Sequence, residues 1–122
     1  MQATDWARAT RIAVTNVPDV IAGFLAAHTA RDLDTVTASY TADGTVTDEG
    51  HTYRGHDAIR TWLGRAAGEY TYTTRLTGAE RVDDDHFVVV QHLEGDFPGG
   101  VVDLNFRFTL RSGKIAELVI EP

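Results

Sequence analysis

Between residues 101 and 110 the chain alternates without a break. Val102, Leu104, Phe106, Phe108 and Leu110 fall on one side, and Asp103, Asn105, Arg107 and Thr109 on the other. Successive side chains of a strand point to opposite faces, so this segment predicts a strand with one face in an apolar core and the other toward water. It is the cleanest period in the sequence, and it fixes the core face of whatever sheet the strand joins. Residues 70–81, rich in Thr and Tyr, read as a long strand, and residues 86–94 and 115–121 as two more. Turn signals separate them: Asp83-Asp84-Asp85, the loop Asp96-Phe97-Pro98-Gly99-Gly100, and Arg111-Ser112-Gly113-Lys114. Residues 44–48 and 51–54 predict a hairpin around Glu49-Gly50.

The first half of the chain has the helical period instead. Pro18 suits the first position of a helix and Asp19 its first turn, while Val17, Ile21, Phe24 and His28 follow at steps of four, three and four along one face. Asp32 reads as the N-cap of a second helix with Leu33, Val36 and Tyr40 on its buried side. A third starts near His56 or Asp57 after Gly55, with Ile59, Trp62, Leu63 and Ala66 as its stripe. Helices followed by strands predict an α+β domain, with the helices laid on one face of a mostly antiparallel sheet. Residues 1–122 suit a single domain, of which 17–122 form the core and 1–16 an N-terminal extension. In that extension Trp6 and Ile12 can pack as an added helix or strand.

Composition narrows the function classes. The net charge is −7, and the eleven basic residues, only one of them Lys, are scattered, which argues against a nucleic-acid partner. No apolar run approaches the ~20 residues of a membrane span. The start, Met1 to Trp6, lacks the basic-then-apolar pattern of a secretory signal. With no cysteine, disulfides, thiolate chemistry and cysteine-ligated metals are excluded, and the cytoplasm is the default compartment. No Gly-rich loop has phosphate-binding spacing, and no Ser or Thr has a visible base partner.

Asp48 carries the most chemical interest and has two readings. It shares a strand face with Val46, and a carboxylate on a core face has a raised pKa and can exchange protons near neutral pH. It also precedes Glu49-Gly50, where an Asp commonly opens a tight turn and faces water. The segment alone favours the turn.

The order helix, helix, short hairpin, helix and four long strands resembles the nuclear transport factor 2-like superfamily, in its SnoaL-like and ketosteroid-isomerase-like branch. The residues that carry it are Phe24 to Asp34, Tyr40 to Asp48, Tyr53 to Trp62, Asn105-Phe106-Arg107-Phe108 and Gly113-Lys114-Ile115. The resemblance implies a cone-shaped, strongly curved sheet closed by three helices around a pocket, as in a cystatin-like roll. The fold hosts many activities, so the site has to be argued residue by residue.

On that resemblance, Asp48 matches the position of the catalytic base in ketosteroid isomerases, which reverses the reading from the segment alone and points Asp48 inward. The tyrosine that holds the oxyanion there aligns with Phe24, and the assisting protonated aspartate with Leu104. Asp103 is one position off and so faces the other way. Losing one such donor typically costs on the order of 10²–10³ in rate, so steroid isomerisation is not expected. His28, one turn beyond Phe24, can be a donor aimed into the pocket or a core histidine bonded to the backbone. The two faces of residues 86–94 are both mixed, and the resemblance favours the one with Val90 and His92 as concave. Tyr40, Val46, Tyr53, Trp62, Leu104 and Phe106 complete the expected lining, with Phe24. His51, His56 and His86 sit in turns and are expected in solvent. Two histidines and a carboxylate, His28, His92 and Asp48, would suit a metal, but no tight ligand motif announces one; neither metal nor cofactor is expected.

Two functions follow. One is a cofactor-independent enzyme for a small apolar or polyketide-like compound, with Asp48 as base and His28 or His92 as the complementary acid, for isomerisation, cyclisation, dehydration or hydrolysis. The other is a non-catalytic ligand-binding or dimerisation module, which the two missing donors favour. A homodimer through the outer sheet face, with Gln91, Asp103, Asn105 and Arg107, is expected in either case.

Overall fold

Proline has no amide hydrogen to give a helix, and α1 (Asp19–Ala30) begins directly after Pro18, whose carbonyl accepts from the Ile21 and Ala22 amides at 3.0 Å. Pro18 is thus the cap, one position earlier than its expected place inside the helix. The structure, a computed structural model, describes residues 4–122, without the side chains of residues 66–68. The expected role of Ala66 lies outside the described residues. α1 buries Ile21 and Phe24 completely and ends on Arg31 in the left-handed conformation, φ 58°. Asp32 caps α2 (Leu33–Ala38): its carboxylate accepts from the Thr35 amide at 3.2 Å and the Thr35 hydroxyl at 2.6 Å, which holds its pKa below the usual carboxylate range. α3 (His56–Glu69) buries Ile59, Trp62 and Leu63.

Among the described residues seven strands form one sheet: β1 (Thr10–Ile12), β2 (Tyr40–Asp48), β3 (His51–Arg54), β4 (Tyr72–Asp83), β5 (His86–Gly95), β6 (Val101–Arg111) and β7 (Lys114–Glu121). Their order is β1-β4-β5-β6-β7-β2-β3, antiparallel throughout except for the parallel pair β2–β7. The long strands bend where their registers slip, between Leu76 and Gly78 in β4 and between Tyr40 and Thr45 in β2. The result is a strongly curved open sheet with three helices, of the α+β class.

β6 places Phe106, Phe108 and Leu110 in the core, as its alternation requires, beside Val89, Leu118 and Ile120. Each such side chain adds roughly 1.5–3 kcal/mol when fully buried. Tyr40 is buried, but as the first residue of β2 and not on α2. The hairpin is therefore longer than expected on its first arm. The extension resolves into both expected options: a 3₁₀ turn carries Trp6, and Ile12 ends β1 against Ala79. The three remaining histidines begin elements, not turns. His51 opens β3 and is exposed. His56 opens α3 with Nε2 at 3.1 Å from the Tyr40 and Thr41 carbonyls. His86 opens β5, is partly buried, and meets the Trp6 ring edge-on at 5.5 Å.

Candidate functional site

Asp48 ends β2, opposite Ile120 of β7 and His51 of β3. The next two residues, Glu49 and Gly50, both have positive φ, 52° and 78°, which is the tight hairpin turn the Gly permits. The turn does not send the Asp48 carboxylate into water. The side chain is half-buried, and Trp62 of α3 donates its indole N–H to Oδ2 at 3.3 Å. Both sequence readings describe one residue: strand-end turn opener and cavity wall. Desolvation raises the Asp48 pKa, the Trp62 hydrogen bond works against this, and the negative charges of Glu49 and Glu69 add to the rise.

Asp48 and Trp62 border a cavity of about 390 Å³ between the concave sheet face and the helices. His28 reaches the same cavity from α1, its ring 5.6 Å from Phe24 and 6.3 Å from Phe106. Packing among these rings lowers the His28 pKa, so the imidazole is neutral at neutral pH. A neutral imidazole has one donor and one acceptor nitrogen and can pass a proton in either direction. Leu104 and Phe106 of β6 form the apolar wall.

Several expected lining residues sit elsewhere. Phe24 lies under the wall, fully buried against Tyr40, Phe108 and the His28 ring. Tyr40 is sealed below it; its hydroxyl has no partner among the described residues, and burial pushes its pKa up. Val46 is fully buried in the core. Tyr53 stacks behind Trp62 at 6.0 Å and supports the indole without reaching the cavity.

The main correction concerns β5. Its register pairs Gln91 with Leu104 and His92 with Asp103. Directly opposed residues share a face, so Gln91 follows Leu104 inward and His92 follows Asp103 outward. His92 Nδ1 lies 2.7 Å from Asp103 Oδ1, on the outer face. Val90 is on that side too, beside Gly78 and Arg11. His92 and Val90 therefore do not line the cavity, and Gln91, expected on the outer face, does. The sequence held the signal: Phe87, Val89 and Leu93 share a face with Gln91, against only Val88 and Val90 on the other. The mouth residues Thr29, Arg31 and Tyr72 were not expected at the site, since contacts between a helix end and a distant strand leave no local pattern. Among the described residues no group of three or more His, Cys, Asp or Glu side chains is placed to hold a metal, and no helix is long and apolar enough to cross a membrane.

Comparison with known proteins places this geometry in context. A family model for the SnoaL-like domain matches residues 21–118. A candidate polyketide cyclase from Sinorhizobium meliloti superposes with a TM-score of 0.83 at 30% identity, covering 90% of this chain and 100% of the other. A protein of ketosteroid-isomerase-like fold from Catenulispora acidiphila, solved with trimethylamine, gives 0.77 at 22% identity, with 88% and 87% covered. A Mycobacterium tuberculosis protein solved with estradiol-17beta-hemisuccinate gives 0.70 at 14%, with 84% and 90% covered. At these last two identities the likeness is one of fold. No curated protein matches the chain.

Proposed function

The chain belongs to the SnoaL-like family, and from that premise we propose that it binds a small, largely apolar molecule and uses Asp48 as the base of a cofactor-independent proton transfer. The single observation behind this is the Asp48 carboxylate itself: set on a cavity wall, half-withdrawn from water, raised in pKa and aimed by Trp62. A carboxylate in that setting takes a proton from carbon more readily than one in water, because its charged form is less well solvated. His28 is the second proton carrier at the cavity; His92, on the outer face, has no part in it. Isomerisation, cyclisation and dehydration all begin with such a step, and ligands in the fold's solved relatives, a steroid ester among them, support a cavity open to small organic molecules.

The leading test uses β-tetralone in D₂O, with deuterium uptake at its α carbons followed by NMR. Wild type should accelerate exchange above the buffer rate, and Asp48→Asn, which keeps the volume and removes the base, should lose at least about tenfold of that acceleration. Equal rates for both proteins would end the reading. One feature favours the alternative of a binding module without chemistry: the side chains of Phe24 and Leu104 cannot donate a hydrogen bond, and the resemblance to ketosteroid isomerases aligns both with that family's donors. Ligand binding without any exchange would establish that alternative.

A further inference from the structure

Among the described residues Thr37, Thr45 and Gln91 are the buried polar side chains, and of these Gln91 borders the cavity. It is only 3% exposed, lies on the concave face of β5, and borders the cavity directly across from Leu104. A primary amide has two N–H donors and one acceptor, and a buried one is almost always satisfied. The polar atoms sealed in the interior without partners are Thr37 Oγ1 and Tyr40 OH among the described residues; the Gln91 amide is not one of them. Its head opens onto the cavity, where what it meets is the cavity's contents. The other polar groups there differ: Asp48 is an acceptor already engaged by Trp62, His28 is partly exposed at the end of α1, and Thr29, Arg31, Tyr72, Thr73 and Thr74 are exposed or only partly buried.

We propose that Gln91 is the subsite for a carbonyl oxygen, so that the cavity selects ketones, esters or quinones over hydrocarbons and alcohols of the same shape. An apolar wall of Leu104, Phe106 and Leu93 accepts the ligand's apolar body, and the Gln91 Nε2–H groups fix its oxygen. On the proton-transfer reading, this supplies the donor absent from Phe24 and Leu104. When Asp48 removes a proton α to the carbonyl, the C–H pair becomes the new C=C bond. The carbonyl π pair moves onto oxygen, where Gln91 donates to it. The Asp48 carboxylic acid then returns the proton to carbon, and no co-reactant is needed. A preformed donor aimed at developing charge is what such a step requires.

The experiment compares β-tetralone with tetralin, which has the same bicycle without the oxygen, by NMR titration of the wild type, Gln91→Leu and Asp48→Asn. Wild type should bind β-tetralone about fivefold tighter than tetralin, the size of one net hydrogen bond. The Gln91 side-chain amide signals should move with β-tetralone and stay nearly still with tetralin. Gln91→Leu should bring the ratio near one while tetralin affinity changes less than about twofold. An unchanged ratio in Gln91→Leu, amide signals that ignore the ketone, or binding of neither probe would overturn the proposal. The amide signals decide the matter in wild type even if Gln91→Leu does not fold. Asp48→Asn separates the two readings: it should keep the ketone preference while losing exchange. Exchange without the preference removes the Gln91 subsite alone, and the preference without exchange removes the base alone.

Discussion

The Asp48 carboxylate answers to two opposed influences, the Trp62 N–H that favours its charge and the desolvation that penalises it, and desolvation is the larger. The consequence for stability has a definite sign. In the unfolded chain Asp48 titrates near 3.8, whereas in the fold it keeps its proton to higher pH. Below 3.8 both states are protonated and the residue costs nothing. As pH rises from there through the raised folded value, the unfolded chain ionises first and the fold loses stability; above that value the loss is constant. Asp48→Asn carries no such group. Its melting temperature relative to wild type should therefore climb with pH across that window and then level off. Thermal melts from about pH 3 to about pH 8 check this; a difference that ignores pH would mean that Asp48 is solvated. His28 is perturbed in the opposite sense, held neutral by ring packing, so the two groups stand on one cavity as a charged base and a neutral proton carrier.

Elements hold these residues through backbone approaches that tolerate no side chain. Gly95 at the end of β5 pairs with Tyr72 at the start of β4, and a Cβ on it would lie 2.3 Å from the Thr71 carbonyl oxygen and 2.5 Å from Tyr72 Cβ. Backbone cannot yield there as a flexible side chain would. Gly95→Ala should thus cost about 1–3 kcal/mol, the usual range for overpacking, and displace Tyr72 from the cavity mouth. Urea unfolding measures the first effect, and a cost below a few tenths of a kcal/mol would show that the strands part freely. The outcome matters for the site because the β4–β5 register also sets which residues of β5 face inward. A similar approach occurs in β2, where a Cβ on Gly44 would meet the Ile115 carbonyl oxygen at 3.1 Å, at the irregularity that lets β2 run alongside β7 and deliver Asp48.

For the whole molecule, the outer sheet face is the remaining question. It carries the His92–Asp103 pair at 2.7 Å, and Arg107, bonded to Glu121 at 2.6 Å with Trp6 beneath its guanidinium at 5.7 Å. The chain's own N-terminal segment thus covers part of the face, and Gln91, expected there from the sequence, faces inward. A homodimer through the uncovered part, around His92, Asp103 and Asn105, is the expected assembly. Light scattering at tens of micromolar, where weak dimers form, should return about twice the 13.4 kDa of one chain. A mass near that of one chain would rule this out, and loss of the dimer in Asp103→Lys with an unchanged fold would locate it.

What the chain settles by itself is periodic and local. The alternation in β6, the 3.6-residue stripes of α1 and α3, the Asp32 cap and the Glu49-Gly50 turn need only neighbours within a few residues, and they lead to the α+β order and its core face. The inward position of Gln91 and the outward position of His92 are only foreshadowed in the sequence, by the more apolar face of residues 86–94 that Gln91 shares. They follow from how β5 pairs with β6, and a shift of one residue in that pairing exchanges the two faces entirely. Likewise Asp48 reads as a turn residue until α3 brings the Trp62 indole, fourteen positions away, against its carboxylate. Side-chain chemistry is written in the sequence, but its surroundings are not. The burial that raises Asp48, neutralises His28 and withdraws Gln91 from bulk water is assembled by segments distant in the chain, and tertiary packing alone decides it.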